Sequence, residues 1–119
     1  MIKDIAGITI WSDNSKTLSE FYKNILELPV HSIRPDFVSF EFGSMRLNIG
    51  SHSEVNNKAS DPFRIMLNLS VVDVKTTYET LLTKKVKFIR PPEKEHWGGW
   101  VATFLDSDGN ILQLIQHPK

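Results

Sequence analysis

Residues 97–117 read WGGWVATFLDSDGNILQLIQH and set the architecture of the chain. Trp100–Leu105 reads as a strand, Asp106–Asn110 as a turn and Ile111–Ile115 as a second strand, together a β-hairpin. The turn is chemically specified: Gly109 tolerates positive φ, and the Asp and Asn side chains bond their own backbone, so the chain reverses with little strain. Side chains alternate faces along a strand. Gln113 therefore shares a face with Ile111 and Ile115, while Leu112 and Leu114 take the other. One face buries leucines and the opposite one presents an amide.

Upstream, the same grammar recurs. Ile5 to Trp11 alternates, with Ile8 and Ile10 on one face and Gly7, Thr9 and Trp11 on the other, a first strand. Ser12 to Ser15 offers helix N-cap side chains, and Leu18, Phe21, Tyr22, Ile25 and Leu26 follow at helical spacing, with Pro29 just past the end. Val30–Ile33 and Phe37–Phe42 are short strands. After a turn at Gly43-Ser44, Met45–Ile49 puts Leu47 and Ile49 opposite Arg46 and Asn48. Ser51 to Pro62 is polar and aperiodic and reads as connecting chain. Beyond it Phe63–Val72 is a strand, Asp73 caps a helix carrying Val74, Tyr78, Leu81 and Leu82, and Val86–Arg90 is a strand ended by Pro91-Pro92.

Both halves thus read βαβββ. Setting Gly7 opposite Met66 pairs Ile8 with Leu67 and Ile10 with Leu69; setting Asn48 opposite Gln113 pairs Leu47 with Leu112 and Ile49 with Leu114. The expected fold is α+β. Two half-units, about 1–52 and 63–119 with a linker over 53–62, form one domain of 119 residues. They are expected to join into a curved, partly open mixed sheet around a concave cavity, with the helices on the outer face. By alternation that cavity presents Thr9, Trp11, Arg46, Asn48, Met66, Asn68, Ser70 and Gln113.

Composition narrows the function. Fourteen basic and fourteen acidic residues cancel, and no Lys/Arg run exceeds two, so the electrostatic footprint for nucleic acid or an anionic membrane is missing. No apolar run approaches the ~20 residues of a membrane span, and the first residues lack the apolar core of a secretion signal. With no cysteine there is neither a disulfide framework nor a thiol nucleophile or thiolate metal site. These features set the expectation of a cytoplasmic protein.

The chain resembles the vicinal oxygen chelate superfamily, which includes glyoxalase I, extradiol dioxygenases, and fosfomycin- and bleomycin-resistance proteins. The resemblance is carried by Ile8-Thr9-Ile10-Trp11-Ser12-Asp13-Asn14 running into Phe21-Tyr22, by Asp73-Val74 with Tyr78, and by Trp97-Gly98-Gly99 with Phe104 to Leu114. That last run is similar to the family ending F-x-D-P-D-G-N-x-x-E-L. The resemblance implies one metal-binding side chain from the first and last strand of each half. Those places fall on Gly7, Asn48, Met66 and Gln113. Of these only Gln113 is a plausible ligand, because glycine has no side chain and a thioether is soft. Neither a metal nor another cofactor is expected.

Single residues carry less. His31, His52, His96 and His117 have no ligand spacing and read as surface residues, with His52 nearest the expected cavity rim. Arg46 reads first as an ion-pair partner of Glu41 or Asp36, second as an anchor for a ligand carboxylate or phosphate. Trp11, Trp97 and Trp100 offer flat faces for stacking, although any one tryptophan is ordinarily core. Glu95 and His96 are adjacent in a loop, where charge is commonplace.

The leading expectation is a metal-independent small-molecule binding protein similar to the bleomycin-resistance branch, sequestering a toxic organic compound. Its ligand-binding residues are expected to be Trp11, Arg46, Asn48, Met66, Asn68, Trp97, Trp100 and Gln113. The zero net charge does not suit capture of a strongly cationic drug. The rival is a glyoxalase-like lyase, isomerase or transferase with no metal, or with one held by residues such as Glu41, His52 and Gln113. A third reading is a subunit with a vestigial cavity that serves association with other proteins. A small organic ligand is the expected partner and a homodimer the expected assembly, with no nucleic-acid or membrane partner.

Overall fold

A computed structural model describes residues 1–119 and divides them into two compact units, Met1–Asn57 and Lys58–Lys119. The division falls inside the polar stretch between the two repeats of the pattern. The first unit contains β1 (Gly7–Ser12), α1 (Ser15–Glu20) running into a π-helical turn (Phe21–Ile25), β2 (Val30–Arg34), β3 (Phe37–Phe42) and β4 (Met45–Ser51). The second contains β5 (Leu67–Ser70), α2 (Val74–Thr83), β6 (Phe88–Lys94), β7 (Trp100–Leu105) and β8 (Ile111–Gln116). Each unit is a four-stranded mixed sheet, ordered β1-β4-β3-β2 and β5-β8-β7-β6. The α+β class and the twofold βαβββ pattern are those expected from the sequence.

The ladders reproduce the internal duplication residue by residue. In the first sheet the parallel pair sets Ile8 against Leu47 and Thr9 against Asn48; in the second, Leu67 lies against Leu112 and Asn68 against Gln113. The antiparallel neighbours agree, with Ser39 beside Asn48 and Thr103 beside Gln113. A one-residue slip in any of these strands would reverse its faces.

One face of each sheet is sealed by its helix. Leu18, Phe21 and Tyr22 pack with Phe40, Leu47 and Ile49, all buried. In the second unit, Val74 and Leu81 of α2 are buried, as are Phe104, Leu112 and Leu114 of the sheet, and Tyr78 meets Phe88 edge-on at 4.6 Å. Each such fully buried side chain contributes roughly 1.5–3 kcal/mol. The opposite faces carry the polar residues.

Several local expectations change. Phe63–Met66 lies outside β5, and Phe63 and Ile65 are exposed although their pattern is that of a strand. Pro91 and Pro92 sit within β6 rather than ending it, because β6 is an edge strand whose pairing with β7 is bulged, so the missing N–H groups cost no ladder bond. Asn14 is the N-cap of α1 but makes no side-chain cap; instead the buried Ser12 Oγ accepts from Asn14 N at 2.9 Å. Asp73 does cap α2, accepting from Lys75 N and Thr76 N. Lys58 and Ala59, expected as linker, are tied to the β7–β8 turn: Lys58 Nζ donates to the Ser107 carbonyl, and Ala59 N to that of Asp108 at 2.9 Å. No helix is long and apolar enough to cross a membrane.

Candidate functional site

The helix-free face of the first sheet is built in three rows, each crossing β1, β4 and β3. Gly7, Arg46 and Glu41 form the first, Thr9, Asn48 and Ser39 the second, and Trp11, Gly50 and Phe37 the third. Arg46 and Gly50 are four residues apart, so the outer rows stand about 13 Å apart along the strand.

The first row is ionic. Arg46 Nη2 donates to Glu41 Oε1 at 3.3 Å, and Glu41 Oε2 lies 3.1 Å from His31 Nδ1. The Arg46 hydrogen bond and charge, with His31 adding to them, hold the Glu41 carboxyl below its ordinary value despite some desolvation. Arg46 Nε is buried without a hydrogen-bond partner. The local ion pair anticipated for Arg46 is therefore made, with Glu41 rather than Asp36.

The second row is a relay of neutral groups. Buried Ser39 donates through Oγ to Asn48 Oδ1 at 2.7 Å, and Asn48 Nδ2 donates to Thr9 Oγ1 at 3.3 Å. Both neighbours thus fix which way the amide points.

The third row is aromatic. A Cβ on Gly50 would lie 2.7 Å from Phe37 Cδ2 and 2.8 Å from Trp11 Cζ3, so the absent side chain is what lets both rings lean in. Their centroids are 6.2 Å apart, and His52 approaches the indole edge-on at 5.3 Å. Trp11 remains 42% exposed, leaving much of its surface available.

The second sheet is arranged differently. Asn68, Gln113, Thr103 and Arg90 lie across its helix-free face, and Gln113 Nε2 reaches Met66 Sδ at 3.8 Å. Arg90 is clamped by Glu93 and by Glu95, the latter at 2.7 Å from Nη2. Glu95 is thereby committed to an ion pair, and the neighbouring His96 is exposed.

The tryptophans separate. Trp100 pairs with Gln116, placing it on the helix-bearing side, where Lys75 of α2 sits 4.3 Å over its ring. Trp100, expected among the ligand-binding residues, thus lies on the opposite face from Gln113: three residues from Thr103, it has the opposite parity. Trp97 folds over buried Gly99 in the loop after β6, 6.0 Å from the His117 ring.

The positions at which the superfamily places metal ligands do not fit a divalent cation. A Cβ at Gly7 would sit 2.5 Å from the Arg46 carbonyl oxygen, so position 7 has room for no side chain. Asn48 is held by Ser39 and Thr9, and the Met66 sulfur accepts from Gln113. No three His, Asp or Glu side chains converge elsewhere. Of the alternative set Glu41, His52 and Gln113, the first is paired with Arg46 and the second rests on Trp11.

Sequence reasoning missed Phe37, Ser39, Gly50 and His31. The first three were within reach, because the tight turn at Gly43-Ser44 fixes Phe42 against Met45 and hence every pair behind it. His31 was not, since it lies at a bulge between Val30 and Ser32.

Comparison with known proteins is consistent with this architecture. The model of the glyoxalase-like domain matches residues 6–117. The uncharacterized protein YetH of Bacillus subtilis (strain 168) is 23% identical over 96% of this chain and 98% of its own. A glyoxalase/bleomycin resistance protein/dioxygenase from Nocardioides superposes with a TM-score of 0.81 at 18% identity, over 100% of this chain and 86% of that one. Lactoylglutathione lyase from Agrobacterium tumefaciens superposes with a TM-score of 0.76 at 15% identity, over 97% and 94%. At these identities the likeness to solved structures is one of fold.

Proposed function

Because the chain belongs to the glyoxalase-like domain family of the vicinal oxygen chelate superfamily, we propose that it is a metal-independent binding protein for a small, planar organic molecule. The observation that carries this reading is the row arrangement of the first sheet: an exposed indole flanked by Phe37 and His52, beside an amide of fixed orientation. A ring stacks on Trp11, and its polar substituent bonds the Thr9–Asn48–Ser39 row. The Arg46–Glu41 pair keeps the far row close to neutral, which favours an uncharged or weakly polar ligand over a strongly cationic one. Capture alone would sequester such a compound. The protein acts in the cytoplasm in this reading, as a homodimer; each sheet ends in two edge strands that could support pairing between copies.

A second reading, catalysis resembling that of glyoxalases, is favoured by one contact. An imidazole beside a carboxylate that an arginine in turn holds is a layout that orients a general base, and His31, Glu41 and Arg46 have it. Native mass spectrometry of protein purified without chelator tests the first reading. An organic adduct without metal supports binding, whereas stoichiometric Ni, Zn, Mn or Fe overturns the metal-independent reading.

A further inference from the structure

The helix-bearing face of the first sheet is not covered evenly. Helix α1 packs on β1 and β4, at one side of the sheet, and the far strand β2 extends beyond it. Between the helix and the β2–β3 end lies an open surface groove of about 390 Å³, lined mostly by exposed side chains. Its apolar part is the buried Val38 with the exposed Pro35 and Ile33, the last 58% exposed. Its rim is basic. Lys16 and Lys23 come from one face of the helical segment and Arg34 from the end of β2. Glu20, between the two lysines, is the one carboxylate there.

Three cations against one anion is a local excess in a chain whose charges otherwise cancel. None of the three is engaged in an ion pair, unlike Arg46, Arg64 and Arg90. Lys23 also belongs to the π-helical turn, where Leu26 N bonds the Phe21 carbonyl at 3.0 Å, and such turns recur at functional sites. We propose that this groove is a second ligand site, on the opposite face of the sheet from the Trp11 row, for a small organic anion with an apolar body. The body rests on Ile33, Pro35 and Val38, and the carboxylate, sulfonate or phosphate head meets Lys23, Lys16 and Arg34.

The test uses 8-anilinonaphthalene-1-sulfonate, which has both features, titrated by fluorescence into the full chain at low salt. A saturable site that persists in Trp11→Ala is expected, displaced by octanoate and not by equal concentrations of acetate or octanol. Lys23→Glu with Arg34→Ser should weaken binding about tenfold or more, as loss of charge-assisted contacts does. Glu20→Gln should tighten it and Trp11→Ala should leave it unchanged. Glu20→Gln guards against misfolding of the charge-reversed variant, because a gain of affinity cannot come from unfolding. Absence of saturable binding, equal displacement by octanol, or indifference to Glu20→Gln would each overturn the proposal, and loss of the site in Trp11→Ala would reassign the probe to the other face.

Discussion

Gly50 stands directly opposite Trp11 in the parallel ladder, and a methyl group placed on it would lie 2.8 Å from the indole. The conflict is with the far ends of two rings, Trp11 and Phe37, and Trp11 is partly exposed, so the rings rather than the backbone give way. Overpacking of a sealed core costs about 1–3 kcal/mol; here the lower end, about 1 kcal/mol, is expected for Gly50→Ala. The near-ultraviolet circular dichroism and Trp11 emission should change while the urea midpoint moves little. A fully cooperative collapse of stability would mean that the rings cannot swing aside.

Gly7→Ala meets backbone instead. The added Cβ faces the Arg46 carbonyl at 2.5 Å, and no rotamer change relieves that contact. The first β1–β4 pairing and the bond from Arg46 N to the Ala6 carbonyl must open, a loss of about 1–2 kcal/mol. Chemical denaturation should rank Gly7→Ala below Gly50→Ala. The reverse order would show that the start of β1 is already frayed.

Helix α2 ends with Lys85 at φ 64°, Lys85 N bonding the Leu82 carbonyl and Val86 N that of Leu81, the paired bonds of a Schellman ending. A left-handed lysine costs roughly 1–2 kcal/mol, and glycine gives back roughly 0.5–1 kcal/mol through its freer unfolded chain. Lys85→Gly should therefore stabilise the protein by about 0.5–1 kcal/mol, read as a raised denaturation midpoint.

Asp73 is held below its ordinary value of 3.8, chiefly by the Thr76 side-chain hydrogen bond and then by the backbone N–H groups of Thr76 and Lys75. A carboxylate lowered in the folded state stabilises above the unfolded value, and that contribution disappears as pH falls through the folded value. Wild type should exceed Asp73→Ala in melting temperature by a constant margin from pH 7 to about 5, and the margin should close at lower pH. In Thr76→Val the Asp73 carboxyl resonance should titrate closer to 3.8.

Most of the backbone plan was readable because it rests on local signals. The Gly43-Ser44 and Asp106–Asn110 turns pin their hairpins, and the leucine and isoleucine parities of β4 and β8 choose the buried faces. Errors arose where tertiary context overrides pattern. Phe63 and Ile65 alternate like a strand but gain no neighbour to pair with, and Pro91-Pro92 survives in β6 because an edge and a bulge spare its ladder. The site was readable row by row for Thr9, Asn48 and Trp11. Grouping tryptophans by type hid the opposite parity of Trp100, and no one-dimensional pattern announces the bulge that aims His31 at Glu41.

Glu41 sets the charge of the proposed binding face, since it is the carboxylate beside Arg46. Glu41→Gln keeps the shape and leaves the guanidinium without an anionic partner, so the row becomes cationic. An anionic planar probe, 4-nitrobenzoate, should then bind more tightly, while neutral nitrobenzene, resting on the Trp11 row, should be unaffected. Because the pair is half-exposed, the gain should fade as salt is raised. Trp11→Ala should abolish quenching by both probes without altering the fold. If Glu41→Gln shifts both probes equally, the charge of the ionic row does not act on a ligand held at the Trp11 row, and the planar-ligand reading of this face fails.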